Sequence, residues 1–505
     1  MIRDLAVAVS LANLWLLEVW FELLFMPTSS TYYLGGPRQP ADYGAAIVVV
    51  ALFTGFLFTG IRLARRAAPG TARFALDLLF LVGFLLPLNA LRLNVRLPFG
   101  IGRLWHWLSL AGLQWVALLV VLAGILLLAY GHRLVAKAAF LLLLLLSPFA
   151  AFTLGRAAVQ AAGISRAEAF PRPAVAAAHH PANPHEPRVL WLLFDELDES
   201  IIADKRPAGL LVPELDRLRS QSVQATNAFS PSDATLTSLP ALLTGRMVTA
   251  AQPRGPAELA VTFAGTSEAV PWGLGPNVFC RAREAGSRTE VVGWYHPYCR
   301  ELAACLDECA FEPVFLTVTG RDEQATFLDR VRDQALASLP INGRRLAVRS
   351  HLRTRDRALR AVSRDEPGLL FVHFPIPHVP PIFDRAASHL TLTRLSSVAG
   401  YLDNVALADR TLGEMRRAME ASGSWDRTTV LLTSDHHWRE SRAFDGRTDR
   451  RVPFLVKMAG QREAILYRRE LNTVVTGELV LSVLRQEVQT PRQVSDWLDR
   501  WRWKP

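Results

Sequence analysis

Two strand-length apolar runs constrain this chain more than anything else in it. Val189-Leu190-Trp191-Leu192-Leu193-Phe194 ends in Asp195-Glu196, and Thr428-Thr429-Val430-Leu431-Leu432-Thr433 ends in Ser434-Asp435-His436-His437. A continuous apolar run that stops abruptly at acidic or imidazole side chains fits a strand buried on both faces of a parallel sheet, its polar residues delivered to the carboxyl edge. Carboxylates at the ends of two such strands can share one metal ion. Between the runs, Ser230 to Arg246 is rich in hydroxyls and can supply a nucleophile.

The rest of the second half fits the same architecture. Strands are expected at 188–194, 289–294, 368–374 and 428–434, and helices at 207–220 and at 395–422, the latter closing at Gly423. Strands alternating with helices imply an α/β domain with a mainly parallel sheet over residues 188–505. An amphipathic helix around 474–486 and a Trp-rich basic end, Trp497 to Lys504, follow; that end is expected to pack on the domain or to touch lipid headgroups.

The first part of the chain obeys a different rule. Apolar segments at about 5–26, 43–63, 74–91, 108–130 and 135–155 each approach the roughly 20 residues that a bilayer core requires, so residues 1–155 read as an all-α transmembrane region of about five helices. Residues 1–160 carry 12 Lys+Arg against 5 Asp+Glu, net +7, of a total net charge of +10. The basicity therefore flanks the membrane and is no nucleic-acid footprint. The loop with Arg62, Arg65, Arg66 and Arg73 and the short one from His132 to Lys137 read as cytoplasmic. That places the chain after residue 160 outside, although Arg92, Arg96 and Arg103 oppose this orientation mildly. Trp15, Trp20, Trp105, Trp107 and Trp115 suit interfacial anchoring. Glu18 and Glu22, one turn apart in the first span, either serve a function or bond within the bundle. Residues 156–187 are Ala- and Pro-rich and form a linker, with His179, His180 and His185 solvated.

All four cysteines, Cys280, Cys299, Cys305 and Cys309, fall in one soluble stretch. One or two disulfides in an oxidising compartment are expected, with three pairings open; a zinc site competes, but the spacings lack a paired C-x-x-C signature.

Carboxylate and imidazole ligands directly after strands are rigidly aimed, so Asp195, Asp435 and His436 are candidate ligands of one divalent cation. The imidazole favours zinc or manganese, with magnesium and calcium open.

The order strand-Asp-Glu, hydroxyl segment, His-x-Pro element, strand-Ser-Asp-His resembles the sulfatase branch of the alkaline phosphatase superfamily, including its membrane-anchored phosphoethanolamine and phosphoglycerol transferases. The resemblance covers roughly 188–460. Thr235-x-x-Ser238-x-Pro240-x-x-x-Thr244-Gly245-Arg246 is similar to the nucleophile signature C-x-P-S-R-x-x-x-L-T-G-R, with Thr235 in the place of the cysteine. Pro377-His378-Val379-Pro380 resembles the His-x-Pro substrate loop. Tyr401-Leu402-Asp403-Asn404 with Asp409 and Gly413 resembles the helix after it, and Arg451-Val452-Pro453 the strand after the active site. The signature Pro and Arg are replaced by Thr237 and Leu239, and threonine cannot become the formylglycine of sulfatases.

The resemblance implies an alkaline-phosphatase/sulfatase-like domain in which Thr235 is both metal ligand and attacking group. A hydroxyl on a metal is acidified, and a covalent intermediate splits the transfer into two displacements. Glu196 is expected as a further ligand or an outer carboxylate, His378 as proton donor or substrate contact, and His373, His437, Arg439, Arg442 and Arg447 as groups for anionic substrate oxygens. A membrane lipid is the implied donor and an envelope glycan or lipid the acceptor, at the outer (periplasmic) face of an inner or plasma membrane. A sulfatase-like hydrolase of soluble esters and a non-catalytic membrane scaffold remain the alternatives.

Overall fold

The computed structural model describes residues 1–25, 30–35, 38–66, 70–94, 114–164, 186–314, 325–337, 339, 341–394 and 397–501. Expectations for Arg96, Arg103, Trp105, Trp107, the side chain of Arg92, the linker histidines 179, 180 and 185 and the terminal residues 502–505 lie outside them. The chain divides into two compact units. One comprises Met1–Pro27, Arg38–Ala169 and Thr317–Asn342, the other Thr28–Pro37, Phe170–Leu316 and Gly343–Pro505.

The first unit is helical. Helices Ile2–Trp15, Pro40–Arg66, Thr71–Asn94 and Gln114–Ile164 pack around Val7, Leu11 and Leu143, with Trp15, Leu57, Phe80 and Phe140 against them. Pro40–Arg66 and Tyr130–Gly163 are long and apolar enough to cross a membrane, and Ile2–Trp15 with Leu17–Leu24 makes a third if the 65° bend is taken within one span. Residues 114–164 form one helix where the sequence suggested two spans joined by a basic loop. The physical reason is local: the intended loop holds no proline, and His132 sits 3.7 Å from Asp77, which also pairs with Arg73 at 3.2 Å. The helix Phe327–Ala335 also belongs here, opened by a Thr326/Asp329 capping box. Its buried Arg330 pairs with buried Asp42, and Gln334 donates to the Asp42 carbonyl at 2.9 Å.

The second unit is α/β. Among the described residues its main sheet has eight strands: β1 (Arg188–Phe194), β2 (Val223–Ala225), β3 (Thr289–Tyr295), β4 (Glu308–Pro313), β5 (Gly368–Phe374), β6 (Thr428–Thr433), β7 (Phe454–Lys457) and β8 (Ile465–Tyr467). They lie in the order β8-β2-β7-β6-β1-β5-β3-β4. The run β6-β1-β5-β3-β4 is wholly parallel, and β7 is antiparallel to both neighbours. Every residue of β1, β5 and β6 is buried, the burial pattern their unbroken apolar sequences require. The helix expected at 207–220 starts only at Pro213, where proline suits the first turn, and the long one runs Val398–Ala421. The amphipathic segment forms the helix Thr476–Leu484, and the terminal helix Pro491–Arg500 buries Trp497.

Two disulfides, Cys280–Cys305 and Cys299–Cys309, staple the region around β3 and β4. Peptide mapping without reduction is expected to join the Cys280 and Cys305 peptides; a Cys280–Cys299 link would contradict the fold. Closing 25 residues of chain contributes about 3 kcal/mol, so Cys305→Ser should lower unfolding free energy by that order in denaturant titrations.

Glu301 lies beside this staple, buried, with Oε1 accepting from the Leu259 N–H at 3.2 Å. Burial pushes its carboxyl up from 4.5 to about 8. The raised folded pKa means the contribution to stability is complete below pH 4.5 and is lost as pH climbs to about 8. Glu301→Gln keeps the acceptor and cannot ionise. Its Tm should match the parent near pH 4.5 and exceed it above pH 8; equal values at both would refute the assignment.

Candidate metal centre and its nucleophile helix

β1 and β6 run side by side with Leu193 opposite Thr433, so both chains leave the sheet at one edge. The next residues are Asp195 on one and Ser434-Asp435-His436 on the other. Ser434 ties the two ends together: its Oγ lies 2.7 Å from the carbonyls of both Phe194 and His436, which share its one hydrogen, and accepts from the Leu197 N–H at 3.0 Å.

Asp195, Asp435 and His436 are fully buried, and one ligand atom from each lies within 4.8 Å of the others. The His436 Nδ1–H donates to the His437 carbonyl at 2.9 Å, which turns the Nε2 lone pair toward the carboxylates, 3.3 Å from Asp435 Oδ2. Asp195 Oδ1 and Asp435 Oδ2 are buried without a hydrogen-bond donor among the described residues. Burial raises the Asp195 carboxyl, but His378, His373 and His436 outweigh it and leave it ionised, at about 2. Burial likewise opposes the charge on His436, and the Asp435, Asp195 and Glu196 carboxylates overcome it and raise its pKa. Two buried carboxylate oxygens without donors, beside an imidazole nitrogen, fit a divalent cation bound by mixed O and N ligands.

Thr235 is the first residue of the helix Thr235–Thr244. Its Oγ1 lies 3.4 Å from Asp195 Oδ2 and 3.3 Å from His436 Nε2, and the residue is 5 % exposed. Ser238, one turn on, donates to the Asp435 carbonyl at 2.5 Å and so clamps the helix to the ligand loop. Ser232 and Thr237, the other hydroxyls that compete for the role, bond to each other at 2.6 Å. Gly245 ends the helix in the left-handed conformation, and Arg246 stacks on Phe263, 3.8 Å from the ring centre.

The remaining expectations divide. Glu196 does not join the three ligands: its backbone is left-handed, φ 64°, and its carboxylate accepts from Arg439 Nε at 2.6 Å. The turn sends this side chain away from its neighbour Asp195, a position that agrees with the second of its two expected roles, an outer carboxylate. Arg439 also donates from Nη2 to His378 Nε2 at 3.0 Å, while His378 Nδ1 donates to the Val379 carbonyl at 2.6 Å. His378, half-buried, and Arg439, exposed, thus form one group beside the three ligands.

His373 is fully buried, 3.8 Å from Asp195 Oδ2, and its Nδ1 meets the Tyr298 hydroxyl at 3.0 Å; such burial makes it a neighbour of the carboxylate and not a surface for substrate. Gly293 makes room for that Tyr298, since a Cβ there would come within 2.3 Å of the ring. His437 is buried, 3.5 Å from Asp233, and burial pushes its imidazole down. Arg447 and Arg442 are exposed beyond the loop, and the Arg447 N–H is taken by Asp445.

Sequence reasoning missed His296 and Tyr295, and named Asn404 only within a helix motif, without a role. His296 is fully buried, burial pushes its pKa down to about 3, and its Nε2 meets the Thr235 carbonyl at 3.2 Å. Tyr295 is left-handed, φ 74°, and burial with the Asp195 and Asp435 charges pushes its hydroxyl up to about 12. Tyr295 is the last residue of β3 and His296 follows it, so the strand-end rule that found Asp195 could have found them. Asn404 donates to the carbonyls of Pro377, His378 and Pro380 and accepts from Ile382, holding the His378 loop in place.

A model of the sulfatase family matches residues 187–480. No curated protein matches the chain significantly. Similar solved structures include the phosphonate monoester hydrolase of Agrobacterium radiobacter, at 15 % identity, with 59 % of this chain and 74 % of that one covered and a TM-score of 0.40. A sulfatase from Pseudoalteromonas sp. shows 15 % identity over 60 % of this chain and 69 % of that one, TM-score 0.42. An alkaline phosphatase superfamily protein from Vibrio parahaemolyticus shows 16 % over 59 % and 66 %, TM-score 0.37. The family match spans more than half of the sequence and includes Asp195, Thr235, Asp435 and His436, and the chain belongs to the sulfatase family.

Proposed function

We propose that the chain is a membrane-anchored, metal-dependent enzyme that transfers or hydrolyses a phosphoryl-linked group of phosphoethanolamine or phosphoglycerol type, with Thr235 as nucleophile. The observation that carries this reading is the position of Thr235 Oγ1, 3.4 Å from Asp195 and 3.3 Å from His436. Thr235 also excludes formylglycine, the group on which sulfatases of this family build sulfate-ester cleavage.

Asp195, Asp435 and His436 would hold the cation, zinc or manganese on the strength of the imidazole, and Thr235 stands where it completes the set. When bound, the ion supplies charge that acidifies an adjacent hydroxyl and stabilises anionic phosphoryl oxygens. Thr235 Oγ1, freed of its proton, forms a bond to phosphorus while the bond to the departing oxygen breaks. The N-terminus of its helix favours the negative charge that gathers there. Arg439, aligned by Glu196, is placed to hold the phosphoryl oxygens. Once substrate replaces the bond from Arg439, His378 Nε2 is free to take up a proton from solvent and pass it to the departing oxygen. An acceptor hydroxyl, or water in a hydrolase, then attacks phosphorus and releases Thr235.

In this reading residues 1–155 anchor the enzyme, 156–187 link, and 188–505 carry catalysis outside the cytoplasm. Two disulfides support the oxidising side of the membrane. A membrane lipid is the donor, and a glycan or lipid of the envelope the acceptor.

Incubation of the full-length protein in detergent with a divalent metal and mixed phospholipids should give an intact-mass adduct that maps to Thr235 and vanishes in Thr235→Ala. Its mass names the group carried. Bound metal with no adduct from any donor would rule out an accumulating covalent intermediate.

Metal content separates the ligands from their neighbours. Asp435→Asn should lower metal affinity by about 10-fold or more, whereas Glu196→Gln should stay within about 2-fold of the parent. Equal losses in both would return Glu196 to the ligand set.

A further inference from the structure

The segment Thr28–Pro37 lies in sequence between the first two long apolar helices, yet it belongs to the compact unit that carries the metal centre. Within it Tyr33 is completely buried. Its hydroxyl meets His296 Nδ1 at 2.9 Å, and the other ring nitrogen, Nε2, meets the Thr235 carbonyl at 3.2 Å. A carbonyl only accepts, so Nε2 carries the hydrogen. In the neutral ring Nδ1 is then the acceptor, and Tyr33 is the donor. The Tyr33 carbonyl is itself held by Arg300 Nη2 at 2.9 Å. Trp272 packs edge-on against His296, 5.8 Å between ring centres, and closes the other side.

We propose that Tyr33 is a positioning residue for Thr235, acting through His296; this rests on the reading of Thr235 as the attacking group. The chain of bonds is short and directional. Tyr33 fixes the tautomer and plane of His296, His296 fixes the peptide plane of Thr235, and that plane sets where Oγ1 points. No helix cap does this, because the residue before Thr235 is Ala234, which has no side-chain acceptor. A group fixed within a dry site loses rate steeply when it is misaimed, so a bond two steps removed still matters. The segment between the membrane helices is thereby part of the active-site architecture.

The test uses the full-length protein in detergent with manganese or zinc and bis(p-nitrophenyl) phosphate, and compares the parent, Thr235→Ala, Tyr33→Phe, His296→Gln and the double variant. Phenylalanine keeps the ring packing and removes only the donor. Glutamine places an amide N–H where Nε2–H stood but has no Nδ1. Tyr33→Phe should lower kcat about 10-fold, with KM, Tm and metal content close to the parent. In the His296→Gln background the same substitution should cost less than about 2-fold, because the bond it breaks is already absent. An unchanged kcat in Tyr33→Phe, or an equal 10-fold loss in both backgrounds, overturns the proposal while Thr235→Ala is inactive. Full turnover by Thr235→Ala overturns the reading beneath it as well.

Discussion

The site depends on one pairing, that of β1 with β6. Because the two strands are parallel and Leu193 stands opposite Thr433, Asp195 and Asp435 emerge at the same height from the sheet. A slip of one residue would send the side chains of one strand to the opposite face, and the carboxylates would no longer converge. Register is held from both sides: β5 pairs along the whole of β1, and antiparallel β7 borders β6. Ser434 adds a specific lock at the strand ends, where a small hydroxyl can reach two carbonyls and an N–H at once. Buried carboxylates oppose folding unless matched, and this convergence gathers two of them where one bound cation would match both.

Around the buried centre the structure is graded from dry to wet. Asp195, Asp435, His436 and His373 are inaccessible, whereas His378 is half-buried and Arg439 exposed. The loop with His378 is fastened by Asn404, and Tyr401 on the same helix donates to the Glu196 carbonyl at 2.7 Å and stacks on Trp438, 4.0 Å between ring centres. The helix Val398–Ala421 therefore supports both sides of the opening without contributing a reacting group. Candidate ligands on rigid strand ends and candidate substrate contacts on a braced loop are the division expected when one set must not move and the other must admit a substrate.

What the sequence disclosed follows the range of the interactions involved. Apolar runs of strand length located β1, β3, β5 and β6 and the polar residues at their ends, because burial on two faces leaves a local signature. Thr235 was singled out by the resemblance of its segment to the sulfatase nucleophile signature, not by a local signal of its own. Which of its two expected roles Glu196 fits could not be read locally, because a positive φ is not legible in an acidic residue, and the turn it creates hands its carboxylate to Arg439, 243 residues away. His296 escaped for a related reason: its partners, Tyr33 and Thr235, lie 263 and 61 residues off. The basic stretch at 132–137 looked like a loop because charge was weighed over propensity, but His132 finds Asp77 across a helix pair and the helix continues.

The same long-range logic explains why neither unit is a continuous piece of chain. Residues 28–37 sit with the α/β core and 317–342 with the apolar helices, and each insertion is fastened by buried polar contacts, Tyr33 to His296 in one and Arg330 to Asp42 in the other. A flexible linker alone would keep a catalytic domain at a membrane, at little entropic cost. Ordering two extra segments and burying their polar groups costs far more, and it is recovered only if those groups are matched where they land. They are matched, and one of them, the Tyr33 hydroxyl, meets the His296 ring whose other nitrogen meets the carbonyl of Thr235. Each unit is thus completed by a segment that lies far from the rest of it in sequence, through contacts that a simple tether would not need.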